Sequence, residues 1–126
     1  MSSPADRLVP LVQRELAAAA AAEAHDDFAA AWLALERAHV AAQSMAAIHT
    51  RVHARMIRLA WRERDLVELL AQVAVLPLAA IASLTGVYPV AAGGRSHRSA
   101  LEAAGIPEDI LAAIPRTATS RKASRT

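Results

Sequence analysis

The sequence predicts an all-α protein: a compact antiparallel bundle of about four helices, followed by short C-terminal helices. Three observations carry this expectation. Hydrophobic residues make up 55% of the 126 residues, yet many are alanine and only Phe28, Trp32, Trp61 and Tyr88 are aromatic. Alanine favours helix and lets helices approach closely, while burying little area per residue. Capping and breaking residues divide the chain at helix-length intervals, and the segments between them repeat their apolar positions with a helical period.

Pro4 and Asp6 open a first helix over about 5–24, with Pro10 in its early turns able to delay or kink the start. "HDDF" is a break, and Asp26 or Asp27 caps a second helix over about 27–42. "AQS" marks the next turn, with Ser44 a cap for a third helix over about 45–63, although the alanines around 41–47 carry no stop signal. Asp65 caps a fourth helix reaching about Leu84, which Pro77 should kink or interrupt. "GVYPVAAGGR" reads as a loop. "SHRSALEAAG" is a short helix stopped by Gly105, and "PEDILAAI" is another that starts at Pro107 and ends before Pro115.

Composition narrows the chemistry. The absence of cysteine excludes disulfides, thiolate metal sites and thiol nucleophiles. The excess of positive charge belongs to the tail "RTATSRKASRT". Residues 1–115 carry ten basic against twelve acidic side chains, a net of −2. The expected organisation is one helical domain over 1–115 and a disordered basic tail over 116–126. The N-terminus lacks the pattern of a secretory signal, so a cytoplasmic location is expected. Val73 to Val90 is uncharged and touches the length of a membrane span. Its prolines and polar residues favour a buried core helix and an apolar loop, with a homodimer interface as the other use of the 73–90 segment. Neither a membrane nor a nucleic acid is expected as a partner. Arg51, Arg55, Arg58 and Arg62 form a solvated stripe balanced by Glu63, Asp65 and Glu68. "AAGGRSH" lacks the spacing of a phosphate loop.

The chemistry-bearing residues lie in "LERAHVAAQSMAAIHTRVHARM", Leu35 to Met56. At 100° per residue, His49 and His53 lie opposite the arginine stripe, beside Met45, Val52, Met56 and Ala60. Their i, i+4 spacing lets two imidazoles converge. On the second helix Phe28, Trp32, Leu35 and His39 share a face with Glu36 on its flank, and Glu36-x-x-His39 is the spacing that turns a carboxylate and an imidazole inward in di-metal bundles. Glu15 faces inward among Leu8, Leu11, Val12, Ala19 and Ala22. With turns near residues 25 and 43, Glu15, Glu36, His39 and His49 fall in about one layer, and His53 one turn beyond. Buried carboxylates and imidazoles are costly unless paired, and a divalent cation removes that cost. Glu15, Glu36, His39, His49 and His53 are therefore the candidate ligands.

"REL…DDFAAAWLALERAHVAAQ…HTRVHARMIRLAWRERDLVELLAQ" resembles a family of small bacterial proteins catalogued as domain of unknown function 3703. The likeness runs from about Glu15 to Gln72 and more loosely through "YPVAAGGRSHRSALEAAGIPEDI". There the family has a Gly-Asn-Thr-Gly loop and a Met-Pro-Ile-Pro segment; here the asparagine is absent and the prolines are partly replaced. The family's Glu-Leu, Glu-Arg-Ala-His and His-x-x-x-His match Glu15, Glu36, His39, His49 and His53. The resemblance supports their grouping and implies no named activity.

Two functions follow. One is a metal-binding bundle with a buried His/Glu site for zinc or iron first, and manganese, cobalt or nickel after them. An open coordination position would make it a small metalloenzyme. The other is a cofactor-free protein–protein interaction module whose His/Glu network is structural. The nearly apolar-free tail yields a prediction of its own: deletion of 116–126 leaves the melting temperature within about 2 °C of wild type in a calorimetric scan.

Overall fold

The computed structural model describes residues 2–86, 94–95, 99, 101 and 104–114, with the side chains of 79, 80 and 82 excepted. Four long helices and one short one make up most of it: α1 (Pro4–Ala24), α2 (Phe28–Ala42), α3 (Ala46–Glu63), α4 (Leu66–Thr85) and α5 (Glu108–Ala113). The fold is all-α, as the alanine content and cap spacing predict. The expected tail, the first C-terminal helix and most of the "GVYPVAAGGR" loop lie outside the described residues, except that Gly105 ends a helical turn. Its amide donates to the Leu101 carbonyl.

Local chemistry sets most helix ends. Ser3 caps α1 in a reciprocal capping box with Asp6, with Pro4 in the first turn, so the helix starts ahead of Pro10 and runs through it. Asp27 caps α2 by accepting from the Ala30 amide. Asp65 caps α4 by accepting from the Glu68 amide. Ser44, the expected cap of α3, does not serve: Met45 occupies the cap position without a side-chain bond. Arg64 ends α3 in the left-handed region (φ 59°), and the Asp65 amide reaches back to the Ala60 carbonyl, the hydrogen bond of a Schellman turn. Pro77 does not interrupt α4.

These short turns make successive helices antiparallel neighbours: α1 on α2, α2 on α3 and α3 on α4, with α5 closing over α1 and α2. The core is Leu8, Val12 and Ala19 of α1, Trp32, Leu35 and Ala38 of α2, and Val52, Met56 and Leu59 of α3, joined by Leu101 and Ile110. Trp32 is fully buried. Its indole N–H donates to Glu63, and the Arg95 guanidinium lies 4.2 Å over its ring.

α4 departs from expectation. It is long and apolar enough to cross a membrane, yet little of it is buried: Leu70 is 70% and Leu84 78% exposed. Among the described residues the helix it packs against is α3, which covers its polar face. A core position would need helices on both sides.

The arginine stripe is also balanced differently. Arg55 and Arg62 meet the buried Glu23 of α1 at 3.6 and 3.1 Å, and Arg62 reaches Asp26 at 3.2 Å, while Arg51 and Arg58 are exposed. Two antiparallel turns bring the C-terminal parts of α1 and α3 to the same end of the bundle, where these charges meet.

Glu36 ties the C-terminal segment to the bundle. Its fully buried carboxylate accepts from the Ser99 hydroxyl (2.9 Å) and the Leu101 amide (2.7 Å) through one oxygen. Glu36→Ala strands the buried Leu101 amide, so a loss of about 1–3 kcal/mol is expected in urea unfolding, with faster amide exchange at Leu101.

Candidate metal centre

His39 comes from the last turn of α2; His49 and His53 come from the first half of α3. The three-residue connection at 43–45 folds α3 back along α2 and sets His39 opposite both. All three are buried, at 2–4% exposure. Their Nε2 atoms converge: His39 to His49 is 2.8 Å, His39 to His53 is 3.1 Å and His49 to His53 is 3.2 Å. The rings fan around that point, with centroids 4.6–4.9 Å apart and interplanar angles of 42–83°.

The hydrogen bonds of the outer nitrogens fix the tautomer of the two α3 histidines. The Gln72 amide N donates to Glu68 (2.7 Å) and to the Gly94 carbonyl (2.7 Å), which fixes the amide orientation. Its carbonyl oxygen therefore faces His53 Nδ1 at 2.6 Å and can only accept. His53 carries its proton on Nδ1. Ser83 donates its hydroxyl to the Gln43 carbonyl (2.6 Å) and accepts from His49 Nδ1 (2.6 Å). In their neutral form His49 and His53 thus turn unprotonated Nε2 atoms towards each other. Burial holds the His53 pKa below the ordinary 6.5, against the opposing pull of Gln72 and the nearby Glu68 charge. The neutral, ligating form is the one favoured.

Converging lone pairs repel unless something positive lies between them. A transition ion about 2.0–2.1 Å from each nitrogen holds its ligands roughly 2.8–3.4 Å apart, from right-angle to tetrahedral geometry. The observed separations of 2.8, 3.1 and 3.2 Å correspond to that range. Each α3 histidine also gives its outer N–H to an oxygen acceptor, the arrangement that orients metal-bound imidazole.

Among the described residues, the group able to hold an ion is His39, His49 and His53. The two carboxylates expected beside them are engaged elsewhere. Glu36 holds Ser99 and Leu101. Glu15 is buried as predicted but accepts from Arg14 at 2.9 Å, and Arg14 also pairs with Asp109 of α5. Facing inward is thus not enough: Glu36 lies on the flank of α2 that receives the C-terminal segment, and Glu15 on the side of α1 that receives α5.

Sequence reasoning missed Glu68, Gln72 and Ser83. Glu68, expected on a solvated face, is fully buried, as is Gln72. Their i, i+4 spacing at the start of an otherwise apolar helix was the available signal. Gly94 is the other contributor. Its φ of 84° and its closeness to His39, where a Cβ would stand 2.5 Å from the ring, admit glycine alone without rearrangement.

The sequence profile of the family described as Protein of unknown function (DUF3703) matches residues 6–114. The chain belongs to this family. That span takes in α1 from Asp6 onward, the other four helices and every residue of the histidine cluster. No curated protein and no solved structure matched.

The buried imidazole also sets a pH dependence. Because the folded-state pKa of His53 lies below its unfolded value of 6.5, the unfolded chain binds more protons as the medium acidifies. Metal-stripped protein should lose stability as pH falls from about 6.5 through the lowered folded value. Urea midpoints across that range measure it, and a His53→Gln variant should flatten the slope.

Proposed function

We propose that this protein binds a single transition-metal ion through His39, His49 and His53. The observation that carries the proposal is the convergence of three buried Nε2 atoms, two of them on rings whose outer nitrogens donate to oxygen acceptors. Three neutral imidazoles suit a borderline ion, so zinc is the first choice and iron, cobalt or nickel follow. Manganese, which prefers oxygen ligands, comes last. The ion would bridge α2 to α3, and Glu68 behind Gln72 would supply a negative charge near a site whose direct ligands are neutral. Three histidines with a remaining position is also the ligand set of catalytic zinc, where bound water is activated. A small metalloenzyme is the extension of this reading.

A second reading has its own support. If His39 carries a proton on Nε2, it can be shared with His49 and His53 across 2.8 and 3.1 Å, making the cluster a metal-free polar network. Such a network suits a helical interaction module.

Metal separates the two. Protein purified without a histidine tag should contain about one ion per chain by elemental analysis. At metal concentrations 100-fold above Kd the gain is about 2.7 kcal/mol, on the order of 10 °C in melting temperature. His49→Ala and His53→Ala should abolish that shift, while Arg51→Ala, on the exposed side of α3, should keep it. Equal shifts in all four proteins would remove these histidines from the ligand set. No binding tighter than millimolar would leave the polar network.

A further inference from the structure

α4 is built with its polar side inward. Glu68, Gln72 and Ser83 turn towards the histidines, and apolar residues face out. Val67, Leu70, Ala74, Pro77, Ile81 and Leu84 are all exposed. Their spacing of three and four residues is that of a coiled-coil seam. Leu66, Val73 and Leu78 flank the seam, at 61%, 53% and 61% exposure, and no charged residue follows Glu68 within the helix. The whole face offers on the order of 800 Å² of apolar surface, the share each partner of a standard interface buries. That is above what an ordinary monomer leaves in water.

Hydrocarbon is a poor destination for this face. α4 lies along α3, whose Arg51 and Arg58 are exposed. A spanning α4 would draw those guanidiniums into the bilayer at roughly 3 kcal/mol or more each. The seam itself favours a second copy. Charges at flanking positions are what select a particular foreign helix, and here those positions are apolar. An isologous pairing needs only one self-complementary patch. The small Ala74, near the middle of the helix, lets two backbones approach.

We propose that two copies of the chain pair through the outer face of α4. Each α4 is then covered by α3 on its polar side and by the other copy on its apolar side. The pairing stands on the exposed seam and does not depend on the metal reading.

The full chain at tens of micromolar should sediment at twice 13.3 kDa. Leu70→Glu combined with Ile81→Glu should give a monomer with unchanged helix content by circular dichroism. A second readout uses the absence of native cysteine. Ala74→Cys should cross-link to its own copy under mild oxidation, since mid-helix residues meet whichever way the pair runs, and Arg51→Cys should not. A wild type that is monomeric throughout, or a dimer that survives both glutamates, overturns the proposal. So does flotation of monomeric protein with phosphatidylglycerol–phosphatidylcholine vesicles that the glutamates abolish, which would make the face a lipid surface.

Discussion

The meeting of three imidazole nitrogens at one buried point is the constraint around which the rest of the molecule is arranged. Nitrogens 2.8–3.2 Å apart, two with their protons committed elsewhere, require a positive charge or a shared proton between them. The short turn between α2 and α3 brings the rings together. α4 then supplies the oxygens that hold two of them in one tautomer, and Gly94 leaves room for the third.

The carboxylates divide into two kinds of work. Glu68 sits behind Gln72, one hydrogen bond removed from His53, where it stabilises positive charge in the cluster without contacting it. Glu15 and Glu36 make their bonds away from the histidines: one joins the Arg14–Asp109 clamp between α1 and α5, the other accepts from Ser99 and Leu101. Cluster ligands that are all neutral favour ions at home with imidazole over those that need oxygen ligands. In the proposed site the Glu36-x-x-His39 spacing contributes its histidine, and the carboxylate bonds to Ser99 and Leu101.

α4 links the site to the molecular surface. Among the described residues α4 packs on α3, and the stripe it buries there is spent on polar residues that serve the histidines. The apolar residues are left on the other side, the reverse of a water-facing helix. Polar support of a buried site and an adhesive outer face thus have a common origin. Cover for that face by a second copy would remove apolar surface from water without disturbing the inner hydrogen bonds.

By itself the sequence determined the helices and the orientation of the histidines. Alanine content, the aspartates at 27 and 65 and the 100° rotation per residue are local properties, so each helix and the inward face of His39, His49 and His53 could be read from them. Tertiary structure decided the composition of the site. Periodicity says that Glu15 and Glu36 point inward; it does not say what meets them there. The partners that claimed them, Asp109 by way of Arg14 and the Leu101 amide, lie 94 and 65 positions further along the chain. Gly94, Gln72 and Ser83 entered the histidine environment by the same route, because only the packing of α4 and the C-terminal segment sets their distance from His39, His49 and His53. Whether α4 was a core helix or an exposed one was likewise a matter of how many neighbours the fold gave it, which its own composition does not specify.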